Sequence, residues 1–135
     1  NTSAMCVAAN LSGKAISISK TTVPHAVSYP FTSLYNISHG HAVSLTLEKF
    51  LKFNFINHEK ANCNFDIIKR YKSIFNIFGV RDIVELEHLL IKIKQKANLQ
   101  NDFKKLKINL DNGINRIMDG INLSRLKTNL DQAKF

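Results

Sequence analysis

The chain is poor in cysteine and glycine, and it has no acid at all before residue 48. Cys6 and Cys63 are its two cysteines, without the dense spacing of a disulfide scaffold, so that class is excluded. Both are expected to be reduced, buried thiols in a cytoplasmic chain. No apolar run approaches the ~18 residues of a membrane span, and Asn1-Thr2-Ser3-Ala4-Met5 carries no basic leader. No membrane partner is expected. None of the five glycines belongs to a Gly-rich phosphate loop, so nucleotide binding has no motif here. Internal repeats, low-complexity tracts and linkers are missing too, which predicts one domain over residues 1–135.

What is present is a core-forming composition: 44% of the residues are hydrophobic, and the formal net charge is +9. A domain of this length buries roughly two-thirds of the surface its unfolded chain exposes, enough to fold without staples. The charge is uneven. Residues 1–47 hold only Lys14 and Lys20, so the chain begins like a protein interior and is expected to be covered by other protein, as a piece of something larger. The later bases, Lys69-Arg70-Lys72, Lys92-Lys94-Lys96 and Lys104-Lys105-Lys107, come with no groove-reading motif and no single basic face. They read as solvated helix faces, and no nucleic-acid partner is expected.

Periodicity predicts an all-α helical bundle. Ala4, Val7, Ala8, Leu11, Ala15 and Ile18 mark a buried helix with tight neighbours over 3–19, broken by Ser12-Gly13. A helix starts near Pro24 and runs to residue 35, with Pro30 expected to kink it, and Asn36-Ile37-Ser38 is a turn. Residues 40–56 read as one central helix packed on several sides. Ile67 to Phe78 form an amphipathic helix stopped by Gly79. Asp82, with Glu85 three residues on, caps a helix reaching Ala97. Residues 102–118 are helical, split or ended by Asn112-Gly113 and Asp119-Gly120, and a short helix follows at 123–130.

The chemistry concentrates in residues 20–45, which hold three of the five histidines. His25 opens one helix and His39 the next, so two imidazoles can converge from adjacent helix ends. Imidazole is a common ligand of zinc and ferrous iron, but a stable site takes three or four ligands, so this is half a site. Buried or capping histidines are the alternative. His41, two residues past His39, points elsewhere, and His58 and His88 read as surface residues.

The frame His25, Pro30, Asn36-Ile37-Ser38, His39-Gly40 resembles the signature of the iron-containing (group III) alcohol dehydrogenases. Thr21-Thr22-Val23-Pro24-His25-Ala26, Ser28-Tyr29 and His39-Gly40-His41-Ala42-Val43 look most like the branch containing phosphonoacetaldehyde reductases. Ile121 to Asn129 resemble that family's ending. The resemblance implies the C-terminal, helical, metal-binding domain of a longer chain whose nucleotide-binding domain lies upstream. It implies an NAD(P)H-linked interconversion of a small aldehyde and its alcohol on Fe(II) or Zn(II). His25 and His39 match the last two metal ligands, while an Asp and another His are expected before residue 1. A homodimer is a further expected partnership.

Two positions depart from the family. Tyr29 stands where many members have a His near the cofactor and proton path; a phenol can donate there but is a poor base. Ser38 replaces the usual Pro, and both suit a helix start. Lys20, Thr21 and Thr22 either line a phosphonate pocket or simply end one helix and cap another. Without the upstream domain the chain alone is expected to be inactive. The rival expectation is a free-standing helical binding module with no catalysis.

Overall fold

The computed structural model describes residues 1–121, which form helices joined by turns and loops, with no strand among them. The helices are α1 (Thr2–Ser19), α2 (Val23–Tyr35), α3 (His39–Ser44), α4 (Leu47–Ile56), α5 (Ile67–Phe78), α6 (Ile83–Lys96) and α7 (Leu110–Asp119), with a 3-10 turn at His58–Lys60. The expected helix at 123–130 and the family-like ending beyond Ile121 lie outside the described residues. An all-α bundle is therefore the observed class, and its local punctuation follows the sequence closely. Asp66 Oδ1 accepts from Lys69 N to start α5, and Gly79, at φ 65°, ends it in the left-handed conformation that costs glycine little. Asp82 Oδ1 accepts from Val84 N and Glu85 N to start α6. Glu85 does not close the box on Asp82. It takes the Arg81 backbone N–H at 2.8 Å and pairs with the Arg81 side chain, whose hydrogen bonds hold its carboxyl below the usual range.

Two apolar clusters form the core. Phe31 of α2, Ile37, Ala42 of α3, Leu45, Ile108 and Ile117 of α7 make the first, with Tyr35 and Phe103 against it. The second joins α5 and α6 through Ile67, Tyr71, Phe75, Ile83 and Leu86, backed by Leu51 and Phe55 of α4. Tyr71 donates its hydroxyl to Leu51 O at 2.8 Å, and burial pushes its pKa up to about 12.

Lys94 overturns the reading of its segment as solvated surface. Its ammonium lies 2.7 Å from Glu48 Oε1 and 3.1 Å from Ser44 O, and both charged side chains are almost fully buried. One cation on α6 thus holds α4 by its carboxylate and the C-terminus of α3 by a carbonyl, where the helix dipole also favours it. The expected continuous helix over 40–56 is broken at Leu45-Thr46, next to this contact. Leu45 is buried there in the first cluster, and Ser44 O, freed at the break, accepts from Lys94.

Other expectations also fail. Helix α1 forms, uninterrupted by Ser12-Gly13, but the described residues supply none of its expected tight neighbours: every residue of it is exposed, Leu11 59% and Ile18 83%, as a face left for other protein to cover would be. An apolar stripe says that a face wants cover, not that these residues supply it. Cys6, on α1, and Cys63, in the loop before α5, are exposed free thiols, not buried ones. Helix α2 runs through Pro30 without ending. His58 is half-buried, its Nδ1 2.8 Å from Phe55 O, whereas His88 is exposed as expected. Of the helix expected over 102–118 only α7 forms; residues 103–107 are turns ending at Lys107, whose φ is 57°, and Asn109 Oδ1 accepts from Asp111 N as α7 begins. Asn112-Gly113 lies inside α7 after all. A Cβ at Gly113 would sit 2.8 Å from Tyr35 Oη, so glycine there leaves room for the Tyr35 hydroxyl.

Candidate metal centre

Helix α2 opens with Thr22 at its N-cap and Pro24 in its first turn, a residue pre-set for helix entry, and His25 is half-buried in that turn among the buried Val23, Pro24 and Ala26. Asn36, left-handed at φ 53°, closes α2 with its N–H on Thr32 O. The chain reverses through Ile37, which is buried in the first cluster, and Ser38 starts α3 with His39 as its first residue. This tight reversal packs α3 against α2. It returns His39 to the level of His25.

The two imidazole rings meet edge to face, their centres 5.3 Å apart. Tyr29, one turn along α2, lies with its ring centre 5.8 Å from that of His39. Ser28, fully buried between the helices, donates its hydroxyl to His25 O at 2.7 Å and stands 3.2 Å from His39 Nδ1. In the sequence Ser28 stands out only within the family-like Ser28-Tyr29 pair, with no role of its own; its position three residues after His25 is the local signal. His41 stays out of the group, as its spacing implied, with Nε2 2.7 Å from Gln100 O.

A metal ion can be tested against this spacing by geometry alone. With metal–nitrogen bonds of about 2.1 Å and a ring radius of about 1.1 Å, two imidazoles on one tetrahedral ion have centres about 5.2 Å apart. The observed 5.3 Å is compatible with that spacing, and it is equally the spacing of an ordinary edge-to-face ring contact. Among the described residues no group of three or more His, Cys, Asp or Glu side chains is assembled for a metal, so what fits here is a pair of donors. Lys20 is exposed at φ 65°, Thr21 is half-buried, and Thr22 is exposed at the N-cap without using its side chain to cap α2. Thr22 leaves that role to its carbonyl, which accepts from His25 N and Ala26 N. A separate apolar cavity of about 200 Å³ lies between α2, α4 and α7, lined by Val23, Val27, Phe50 and Ile114 among others.

Residues 2–122 match the model of the Fe-containing alcohol dehydrogenase family, C-terminal. The chain belongs to this family. It is also 45% identical over 47 residues to a phosphonoacetaldehyde reductase of Streptomyces viridochromogenes, a stretch that is 35% of this chain and 12% of that enzyme's length. No solved structure matches the chain. Family membership carries the all-α class and a relationship to oxidoreductases. None of the described helices is long and apolar enough to cross a membrane.

Proposed function

We propose that His25 and His39 are two of the protein ligands of a catalytic Fe(II) or Zn(II), within the C-terminal domain of a cytoplasmic, NAD(P)H-linked aldehyde reductase. The observation that supports this reading is that the two rings meet with their centres 5.3 Å apart, a spacing at which one ion could join them. The remaining ligands, an Asp and a His, and the nucleotide-binding domain would belong to a longer chain of which residues 1–135 are the C-terminal part. A bound metal supplies Lewis acidity to the oxygen of the aldehyde. The residues of this chain hold and orient.

His25 and His39 present imidazole nitrogens from two helix starts that the Asn36–Ser38 reversal locks together. Tyr29, 39% exposed beside His39, would donate its phenolic proton in a hydrogen bond to the substrate oxygen as hydride and proton convert aldehyde to alcohol. Lys20, Thr21 and Thr22 lie five, four and three residues before His25 and would offer an ammonium and two hydroxyls to the anionic end of a substrate such as phosphonoacetaldehyde. The similarity to a phosphonoacetaldehyde reductase supports that choice of substrate.

Titration of the metal-free chain with Zn(II), followed by the imidazole signals in NMR spectra, tests the reading. Weak binding that perturbs His25 and His39, and that disappears in the His25→Ala, His39→Ala double variant, is expected. An unchanged titration in the double variant would refute it. The 135-residue chain alone should leave NAD(P)H unoxidised with any aldehyde, and turnover abolished by His25→Ala would overturn the need for a second domain.

A further inference from the structure

We infer that Ser28 is a positioning residue whose hydroxyl holds His39 in the Nδ1–H tautomer, leaving the Nε2 lone pair as that ring's donor toward a metal ion. The inference takes from the proposed function only the use to which the lone pair is put. The tautomer itself follows from hydrogen bonding.

A serine hydroxyl has one proton and two acceptor lone pairs. Ser28 has two neighbours to satisfy, the His25 carbonyl oxygen at 2.7 Å and His39 Nδ1 at 3.2 Å. A carbonyl can only accept, and bonding to the carbonyl three residues back is a common use of serine inside a helix. The shorter contact therefore takes the proton. What Ser28 then turns toward His39 is a lone pair, and a bare Nδ1 opposite it would be repelled. The ring proton must sit on Nδ1, and because neutral imidazole carries one N–H, Nε2 is left as the acceptor.

Burial makes the choice firm. Ser28 is 0% exposed, so no water competes for its hydroxyl, although His39 itself is exposed. In water an imidazole side chain favours the opposite, Nε2–H form, so Ser28 acts against the default. The chain of bonds, His39 Nδ1–H to Ser28 Oγ–H to the His25 carbonyl, starts on one proposed ligand and ends on the backbone of the other. A single side chain thus fixes both the proton on His39 and the register of its ring against His25. Metal-binding histidines depend on such a partner at the nitrogen they do not use, and its loss typically costs 10- to 100-fold in affinity.

The test is a long-range proton–nitrogen NMR spectrum of the nitrogen-15-labelled 135-residue chain, metal-free, at a pH where imidazole is neutral, with His39 assigned by its loss in His39→Gln. In the unaltered protein His39 should be in the Nδ1–H form. In Ser28→Ala it should move to the Nε2–H form, with helical circular dichroism unchanged, because alanine suits a helix interior. Zn(II) added to both proteins should bind the Ser28→Ala chain roughly 10- to 100-fold more weakly. A predominantly Nε2–H His39 in the unaltered protein, or a tautomer indifferent to Ser28→Ala, would overturn the inference. If the tautomer responds as expected while Zn(II) perturbs neither histidine, the role of Ser28 stands and the metal reading fails.

Discussion

Cutting Lys94 back to an apolar side chain should unfold this domain far more readily than any surface lysine change. Its ammonium is almost wholly buried, 2.7 Å from Glu48 Oε1 and 3.1 Å from Ser44 O. Lys94→Met preserves most of the stem's packing but leaves the Glu48 carboxylate buried without its cation. Glu48 Oε2 already has no hydrogen-bond partner, so nothing on the protein takes over. Breaking one half of a buried pair typically costs about 3–5 kcal/mol. For a domain of this size each kcal/mol lowers the melting temperature by about 3–5 °C, so a fall on the order of 10–20 °C is expected. The Glu48→Met, Lys94→Met double variant removes both desolvated charges and should lie within about 2 kcal/mol of the unaltered protein, or above it. Urea unfolding followed by circular dichroism measures all three proteins and the coupling between the sites. A Lys94→Met variant within about 0.5 kcal/mol of the unaltered protein would refute the buried pair, since that is what exposed lysines give.

Two further expectations concern the second cluster. Folded Tyr71 ionises only near pH 12, against about 10 when unfolded. Between those values the folded state holds the extra proton, so this contribution is complete below pH 10 and is lost as pH rises toward 12. Tyr71→Phe should flatten that decline in alkaline urea titrations, and an unchanged slope would count against a buried phenol. Asp82→Ala removes the acceptor for Val84 N and Glu85 N and should cost about 1 kcal/mol, read as a lowered melting temperature. No measurable loss would mean that the start of α6 is capped by other groups.

The histidine pair was legible because its geometry is local. The Asn36-Ile37-Ser38 turn and the helix starts at Pro24 and Ser38 all lie between or beside the two rings, and short-range rules govern them. The role of Ser28 escaped notice because a serine inside an apolar helix looks like filler until its partner on α3 is in place. Lys94 escaped for the same reason at longer range. Its neighbours Lys92 and Lys96 are exposed, and nothing within one helical turn announces Glu48 or Ser44.

The sequence by itself determined where helices begin and end when a side chain or a backbone preference within four residues decides it, as at Asp66, Gly79 and Asp82. It also determined the frame that places His25 and His39 on neighbouring helix starts. Tertiary structure alone decided the break at Leu45-Thr46, the burial of Lys94, the helical placement of Gly113 beside Tyr35 and the exposure of α1. Each of those depends on which residue arrives from tens of positions away, or, for α1, on none of the described residues arriving. An amphipathic period records that a face should be covered, and only the packed chain specifies by what.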